Sequence, residues 1–358
     1  MSSVTVPLKK QIIFGLFALV IILAALEGSA RTYEFFLQDC NLEKADTLKH
    51  LDYFLKRQIC NDEGSVIYSQ KPVLSIVPNQ HLATVNINND GFRGPEINTN
   101  DKYRIFMIGG STVFGAGLPG DEYTIPFELE KLLKEKQVDI EVINAGISSI
   151  TSFEELYYIK EKLVNYAPNM IIVYDGVNDI FYKKISEQKI LNEEEEIKNY
   201  QRYLRTPVVF YRNILLPVIN SEILDSPGKN IQHELYDETV SNKITLLWEK
   251  RMTEFCKIST ENNFESIVII QPALYTGKKP LSDFEKSIYE KNTHGEKTFE
   301  KIIQNSRNLN SCSLVLDFSN VFENISDGVY FDQVHVNNMG NKIIAKKIAD
   351  EISFLINK

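Results

Sequence analysis

The fold is decided by residues 104–112, Arg-Ile-Phe-Met-Ile-Gly-Gly-Ser-Thr, where an apolar run ends in two glycines and a serine. A short apolar run without polar alternation is typical of a strand that is buried on both faces of a parallel sheet. The two glycines allow a sharp turn, so that the Ser111 hydroxyl can stand exposed at the edge of the sheet. The stretch therefore predicts a strand, a glycine turn and a helix, with a reactive side chain at the turn.

The same alternation continues along the rest of the chain. Further apolar strands are predicted at residues 139–143, 170–174, 266–271 and 314–318, and helices at 123–136, 152–166, 239–262, 284–308 and from Met339 onward. Strands that are apolar on both faces and alternate with helices predict an α/β domain, with a five-stranded parallel sheet between two helical layers. Functional groups are then expected at the carboxyl ends of the strands.

The composition excludes several other classes of protein. The chain has 358 residues, 43% apolar and 24% charged, which suits one or two globular units and excludes a disordered or fibrous protein. Its net charge of −9 comes with dispersed Lys and Arg residues, so nucleic acid is not an expected partner. Four cysteines without a Cys-x-x-Cys pair argue against a zinc site, and we expect no other metal and no cofactor.

An uncharged apolar run at residues 12–26 follows Lys9 and Lys10 and predicts an N-terminal membrane-spanning helix. Its fifteen residues cover only about 22 Å as a helix, which is short for a bilayer core of roughly 30 Å. The apolar region of a secretory signal peptide fits as well, with Gly28-Ser29-Ala30 as its cleavage site. We favour the retained anchor. In either case the preceding lysines place the rest of the chain outside the cytoplasm.

The chain is predicted to divide into three parts. Residues 1–30 hold the cytoplasmic N-terminus and the anchor, and residues 31–101 form an extracytoplasmic segment. The α/β domain takes residues 102–358, with an insertion at about 180–238 where the alternation of strands and helices stops. Because the insertion begins at the functional edge of the sheet, it is a candidate lid.

The extracytoplasmic segment gives weaker signals than the domain. Its pattern predicts a helix near residues 46–57 and short strands that end at the turn Asn89-Asp90-Gly91. A disulfide between Cys40 and Cys60 would persist outside the cytoplasm, although the spacing alone does not establish the pairing. Cys256 lies in a predicted amphipathic helix and is interpreted as a small core residue.

Three more motifs lie at the ends of predicted strands or directly before the last helix. Asn144-Ala-Gly146 follows the second strand, Gly176-Val-Asn178-Asp179 follows the third, and Asp332-Gln-Val-His335 precedes the helix. Together with Ser111 they supply a hydroxyl nucleophile, a histidine base, a carboxylate to orient that base, and amide donors for an oxyanion. These are the parts of an acyl-transfer site.

These four blocks, in this order, resemble those of the SGNH, or GDSL-type, hydrolases, a flavodoxin-like α/β family of esterases, lipases and carbohydrate deacetylases. The resemblance covers roughly residues 102–358 and implies a three-layer α/β/α fold. It implies that Ser111 is the nucleophile and that Asp332 and His335 complete a catalytic triad. It also implies an oxyanion hole formed by the amides of Ser111 and Gly146 and the side chain of Asn178.

One position departs from the family's pattern. Gly110 stands where the family's Gly-Asp-Ser block usually has aspartate. The same substitution occurs in a membrane-anchored branch of the family, which also has an upstream segment similar to Asn89-Asp-Gly-Phe-Arg-Gly94. The resemblance to that branch agrees with the predicted N-terminal helix, and it leaves open whether Arg93 reaches the site.

Each motif also has a simpler structural interpretation. Ser111 could cap a helix, Gly146 and Asn178 could serve only to turn the chain, and Asp179 could hold its loop by hydrogen bonds. Gly115-Ala-Gly-Leu-Pro-Gly120 matches a dinucleotide-binding pattern, but it starts several residues after the strand and contains a proline that spoils the loop-to-helix transition. The joint occurrence of four motifs favours catalysis over all of these.

The expected function is that of a serine esterase that works through an acyl-enzyme and needs no cofactor. Its expected partners are the membrane, through the N-terminal helix, and an acylated small molecule, lipid or glycan outside the cytoplasm. An acyltransferase that modifies a surface polysaccharide would use the same triad and stays open as an alternative. A non-catalytic glycan-binding or scaffold protein is a third possibility, which the intact Ser, Asp and His argue against.

Overall fold

The computed structural model of the protein describes residues 7–37, 40–69, 74–98, 102–136, 139–181, 238–289 and 293–356. It divides into two compact units. Helix α1, Leu8–Leu37, makes up most of the described part of the first unit, and the described residues from Asn41 onward belong to the second. Residues 182–237, which make up nearly all of the predicted insertion and candidate lid, lie outside the described residues.

Helix α1 is long and apolar enough to cross a membrane. The candidate span is Leu8–Tyr33, 26 residues with a mean hydropathy of 2.4. At 1.5 Å per residue it extends about 39 Å, which exceeds the roughly 30 Å of a bilayer core. The candidate span is therefore longer than the uncharged run of fifteen residues, because residues on both sides of that run, Lys9, Lys10 and Glu27 among them, continue the same helix.

The second unit is built on five parallel strands. They are β1 (Tyr103–Gly109), β2 (Ile140–Asn144), β3 (Met170–Asp175), β4 (Glu265–Ile270) and β5 (Leu314–Asp317), each within two residues of its predicted position. The order across the sheet is β2-β1-β3-β4-β5, and every neighbouring pair is parallel. This is the flavodoxin-like strand order, in which the switch point lies between β1 and β3.

The described α-helices of the second unit are α2 (Tyr53–Glu63), α3 (Ser111–Phe114), α4 (Ile125–Glu135), α5 (Ser152–Glu161), α6 (Asn178–Phe181), α7 (Glu238–Asn262), α8 (Asp283–Ile288), α9 (Thr293–Ser306) and α10 (Asn338–Ile356). Of these, α4 and α10 cover one face of the sheet and α5, α7 and α9 cover the other, as a three-layer α/β/α fold requires. Successive side chains of β1 enter different cores: Ile105 and Met107 pack with residues of α4 and α10, whereas Phe106 and Ile108 pack with residues of α5, α7 and α9. This alternation explains why the strand is apolar at every position from Ile105 to Ile108.

Two predicted helices are interrupted in the structure. The helix predicted at residues 152–166 ends with α5 and is followed by a 3₁₀ turn, Leu163–Tyr166. The helical region predicted at 284–308 consists of α8 and α9.

From Asn41 to the start of β1, the described chain belongs to the second unit. It contains two 3₁₀ turns, Asn41–Glu43 and Asp46–Leu48, helix α2, and two short antiparallel strand pairs, Tyr68–Ser69 with Ser75–Ile76 and Gln80–His81 with Asn86–Ile87. The predicted helix at 46–57 was misplaced, because α2 starts only after Asp52, whose side chain accepts a hydrogen bond of 3.0 Å from the Leu55 amide and caps the helix. Arg93 bridges to Asn144 and so ties the segment to the edge of strand β2.

The disulfide bonding of the cysteines differs in part from the sequence-based expectation. Cys256 of α7 lies in the core, as interpreted from the sequence, and in addition forms a disulfide with Cys312, with a Cα–Cα distance of 4.8 Å. The two residues lie 56 positions apart, and no local pattern in the sequence indicates their contact. Cys40 and Cys60 are both disulfide-bonded as well, which the suggested bridge between them requires.

Candidate active site

A continuous chain of hydrogen bonds links Ser111, His335 and Asp332 at the carboxyl edge of the sheet. The Ser111 Oγ lies 2.7 Å from Nε2 of His335, and Nδ1 of His335 lies 2.7 Å from Oδ2 of Asp332. With the ring proton on Nδ1, His335 donates to the carboxylate and accepts from the serine hydroxyl. The structure thus brings together three side chains that are up to 224 positions apart in the sequence.

Two glycines position Ser111 directly after β1. A Cβ atom on Gly109 would lie 2.4 Å from the Tyr174 carbonyl oxygen, and one on Gly110 would lie 2.3 Å from Nδ2 of Asn178. The first contact is with the backbone of the neighbouring strand, so only glycine fits there. The second contact is with a side-chain amide, so a larger residue at position 110 would require Asn178 to shift.

Helix α3, which begins with Ser111, is held at its far end by a buried arginine. Arg93 is only 3% exposed, and its guanidinium donates to the carbonyls of Phe114 and Gly115 at 3.0 and 2.8 Å. The same guanidinium pairs with Asp121 at 2.7 Å. Carbonyls at the end of a helix lack partners within the helix, so these bonds satisfy them and fix the position of α3. Arg93 therefore contacts the far end of the helix whose first residue is Ser111.

The turn that carries Asp332 and His335 is stabilised by the carboxylate of Asp332 itself. Its Oδ1 accepts hydrogen bonds from the amides of Val334 and His335 at 2.9 and 2.7 Å, while Oδ2 faces the imidazole ring. One carboxylate therefore both shapes the turn and orients the ring. The ring of Phe331 stacks on that of His335, with centroids 5.7 Å apart and planes within 9°.

The loop before this turn depends on a buried glutamate that the sequence analysis did not single out. Glu285 of α8 accepts hydrogen bonds from the amides of Val329 and Tyr330 at 3.0 and 3.1 Å, and it pairs with Lys279 at 2.8 Å. In the sequence, Ser282 and Glu285 have the spacing of a helix capping box, which the structure contains. The capping box predicts where α8 starts, but it does not predict that Glu285 also binds the amides of Val329 and Tyr330.

The ionisation of the pair suits proton transfer from a hydroxyl group. Burial disfavours the imidazolium and is the largest single influence on the pKa of His335, but the charge and hydrogen bond of Asp332, with the charge of Glu63, outweigh it and raise this pKa. Burial also opposes ionisation of Asp332, yet the charge of His335 and hydrogen bonds from His335 and Val334 hold the pKa of Asp332 below its ordinary value. The carboxylate is therefore negative and the ring is strengthened as a base.

The predicted oxyanion donors lie at the same edge of the sheet but differ in availability. The Gly146 amide donates to Oδ1 of Asn144 at 3.0 Å, so this donor is engaged within the protein. Nδ2 of Asn178 donates to the Ile150 carbonyl at 2.7 Å. A side-chain amide has two N–H groups, so this bond fixes the orientation of Asn178 and leaves a second donor. The oxyanion roles of Ser111, Gly146 and Asn178 stay a prediction.

Asp179 is engaged in structural contacts. Its carboxylate accepts from the amide and the hydroxyl of Ser152 at 2.9 and 2.5 Å and pairs with Arg251 at 3.3 Å. It therefore holds the start of α5, in agreement with the structural interpretation of this residue.

The glycine-rich loop after α3 does not have the features of a phosphate cradle. Gly115, with a φ of +94°, ends α3, and the amide of Gly117 donates to the carboxylate of Glu63. A carboxylate bound to the loop amide would repel a phosphate, so the dinucleotide-binding alternative is not supported. Within the described residues, no group of three or more His, Cys, Asp and Glu side chains is arranged to hold a metal ion.

Residues 105–348 match the family model described as GDSL-like lipase/acylhydrolase, which covers more than half of the chain. The protein belongs to the GDSL-like lipase/acylhydrolase family. The resemblance seen in the sequence is thereby confirmed, as is the α/β fold with its five-stranded parallel sheet. This GDSL-type protein is accordingly a serine hydrolase that acts on ester bonds. No curated protein matches its sequence.

Several solved structures are similar to this GDSL-type chain at low sequence identity. The acetyl xylan esterase AlAXEase is 16% identical, with a TM-score of 0.43, over 70% of this chain and 99% of that one. Axe2, an acetylxylan esterase from Geobacillus stearothermophilus, is 16% identical, with a TM-score of 0.40, over 70% and 94%. TesA is 11% identical, with a TM-score of 0.42, over 70% and 97%.

Proposed function

We propose that this GDSL-type hydrolase is a membrane-anchored serine esterase whose catalytic triad is Ser111, His335 and Asp332. The observation that carries the proposal is the pair of 2.7 Å hydrogen bonds that joins the three side chains at the edge of the sheet. A serine that donates to a histidine, which is itself oriented by a carboxylate, is the arrangement that activates a hydroxyl for attack on an acyl carbon.

The reaction runs in two halves. The Ser111 Oγ forms a bond to the ester carbonyl carbon while its proton passes to Nε2 of His335, and the carbonyl oxygen takes up the negative charge. The tetrahedral intermediate collapses, the alcohol leaves with the proton from His335, and an acyl-serine ester remains. Water then attacks that ester with His335 again as the base, which releases the acid and restores Ser111.

The negative charge of the intermediate requires donors near Ser111. One N–H group of the Asn178 amide donates to the Ile150 carbonyl, and the second N–H group is the candidate donor to the oxyanion. The Ser111 amide lies at the start of α3, where backbone N–H groups have no partner within the helix. For Gly146 to contribute, its amide has to leave Asn144 when substrate binds.

The catalytic unit is proposed to lie outside the cytoplasm. Lys9 and Lys10 come at the start of α1 on the N-terminal side of its apolar run, which favours a cytoplasmic N-terminus. The disulfide between Cys256 and Cys312 is of a kind that persists in oxidising compartments. The natural substrate is then an acylated compound outside the cytoplasm, such as an O-acetylated glycan or a lipid.

The proposed chemistry is tested with a fluorophosphonate probe on the full-length protein in detergent. We expect covalent labelling of the wild type, mapped by mass spectrometry to Ser111, and no labelling of Ser111→Ala. Ser287→Ala is the matched control, because the Ser287 hydroxyl is exposed on α8 and donates to the Phe284 carbonyl rather than to a histidine. Labelling of Ser111→Ala equal to that of the wild type would contradict the proposal.

A second measurement separates hydrolysis from acyl transfer. A chromogenic acetyl ester is turned over with and without an added polysaccharide acceptor, and free acetate is compared with polymer-bound acetyl groups. We expect free acetate in both cases. Acetate found mainly on the polymer would identify the enzyme as an acyltransferase that uses the same triad.

The topology has its own test. Protease added outside intact cells should degrade the chain beyond α1, while a reporter that is active only in the cytoplasm should stay inactive when fused to the C-terminus. A catalytic unit that is protected from external protease would reverse the proposed orientation.

A further inference from the structure

The wall of the active site beside His335 is built partly by the segment that precedes β1. Helix α2 ends at Glu63, whose carboxylate accepts a hydrogen bond from the Gly117 amide. Gly117 has a φ of +78°, and a Cβ atom there would lie 2.3 Å from Cζ of Phe331. The ring of Phe331 in turn stacks on the imidazole of His335. A line of direct contacts therefore runs from Glu63 through Gly117 and Phe331 to His335.

Glu63 also acts on the site through its charge. The charged groups that face it are His335 and Asp332 of the triad and Arg93, and Tyr68 is a further titratable neighbour. Burial raises the pKa of Glu63, while the Gly117 hydrogen bond and the positive charges of His335 and Arg93 oppose that rise. Above this raised pKa the carboxylate is negative, and because it is buried, its charge is screened less by water than that of a surface glutamate.

We propose that Glu63 is a positioning residue of this active site, which holds the Gly117–Phe331 wall against His335 and stabilises the protonated imidazole by its negative charge. The inference rests on the proposed roles of Ser111 and His335. It assigns a share of the catalytic machinery to a segment that lies before the family match at residues 105–348.

The charge of Glu63 has a definite consequence for the pH profile. Among the described residues, the titratable groups that act on His335 are Asp332 from its own turn and Glu63 from α2, and both favour the protonated ring. Since only the neutral ring can take the Ser111 proton, the activity should rise with pH as His335 loses its proton. Removing the negative charge of Glu63 lowers the pKa of His335, so the rise should occur at a lower pH.

Two substitutions separate the charge from the hydrogen bond. Glu63→Gln keeps a side-chain oxygen that accepts from Gly117 but has no charge, whereas Glu63→Asp keeps the charge on a shorter side chain. We expect Glu63→Gln to shift the rising limb of kcat against pH downward by about half a unit, which means about threefold more turnover on that limb. Glu63→Asp should return the limb to within about 0.2 unit of the wild type, with a lower plateau.

The experiment uses the full-length chain in detergent, with a neutral chromogenic acetyl ester as the probe. Asp283→Asn is the matched control, because it also removes one negative charge but from a fully exposed side chain; its limb should stay in place. A rising limb that Glu63→Gln leaves unmoved would overturn the proposal. Failure of Glu63→Gln to fold would also overturn the proposal, because the charge of Glu63 would then be required for folding rather than for the active site.

A second readout keeps this inference separate from the proposed function. The His335 ring is titrated by NMR in protein that carries isotopically labelled histidine, with His335→Asn used to assign its signal among the five histidines. The pKa of His335 should fall by about half a unit in Glu63→Gln. If ester turnover did not depend on Ser111, the proposed function would fail, and this titration would still decide whether Glu63 acts on His335.

Discussion

Replacing Asp332 by asparagine should separate the two tasks of this side chain. In the wild type, Oδ1 accepts from the amides of Val334 and His335, and Oδ2 accepts from Nδ1 of His335. The asparagine Oδ1 can keep both backbone bonds. Its NH₂ group then faces Nδ1 of His335 and donates to it, so the ring proton moves to Nε2. A protonated Nε2 cannot accept the hydrogen bond from Ser111.

The size of the effect follows from these contacts. The change leaves the turn intact, so the loss of unfolding free energy should stay near one hydrogen bond to a charged group, about 1.5–3 kcal/mol at most. The base, by contrast, is present in the wrong tautomer and without the negative charge that stabilises its protonated form. Substitution of the orienting carboxylate in a Ser-His-Asp site lowers kcat about 10⁴-fold, and we expect a fall of about 10³- to 10⁴-fold here.

The assay compares kcat and KM for an acetyl ester with the melting temperature of the same preparation. The wild-type rate should rise with pH as His335 becomes neutral, and the variant should stay slow at every pH. Because the pKa of Asp332 is lowered in the folded state, this carboxylate stabilises the fold above its unfolded pKa, and that contribution is lost as the pH falls through its folded pKa. A variant with kcat within tenfold of the wild type would refute the reasoning, and Asp332 would then be a structural residue.

Three further predictions follow from contacts described above. Asn178→Ala should lower kcat by about a hundredfold to a thousandfold with little change in KM, because its second N–H group acts only on charge that develops in the tetrahedral intermediate; a near wild-type kcat would leave Asn178 as a loop residue. Arg93→Lys should lower both kcat and the melting temperature, because an ammonium group cannot replace the planar guanidinium, which bonds to two carbonyls and Asp121 at once. Ester turnover and thermal melts measure both values, and no change in either would contradict the role of Arg93 in holding α3. Replacing Cys256 and Cys312 together by alanine should lower the unfolding free energy in urea by about 4 kcal/mol, for a loop of 56 residues; a loss below about 1 kcal/mol would show that the bridge does little for the fold.

The central sheet and the positions of Ser111, Asp332 and His335 could be predicted because their signals are local. Each strand is a short apolar run, and each site residue follows such a run or precedes a helix at a fixed spacing. The flavodoxin-like order then brings the strand ends to one edge, whatever the lengths of the connections. The assignment of Ser111, Asp332 and His335 rested in addition on the resemblance of four sequence blocks to a known family, and the structure brings the three side chains together.

The supporting residues could not be found in this way, because their roles depend on contacts between distant parts of the chain. Arg93, Glu63 and Glu285 are ordinary charged residues in the sequence, and each gains its role from backbone groups of another element. The pairing of Cys256 with Cys312 is of the same kind. Helix α2 was misplaced because a cap at Asp52 outweighed the weak apolar pattern before it.

The bond from Arg93 to the end of α3 determines where the chain can be shortened for work in solution. A soluble form that began at Tyr103 would keep every strand of the sheet, yet it would leave the carbonyls of Phe114 and Gly115 without their donor. It would also remove Glu63 and the disulfide-bonded cysteines Cys40 and Cys60. The cut belongs between α1 and Cys40, so that the soluble form loses the candidate membrane helix and keeps Cys40, Cys60, Glu63 and Arg93.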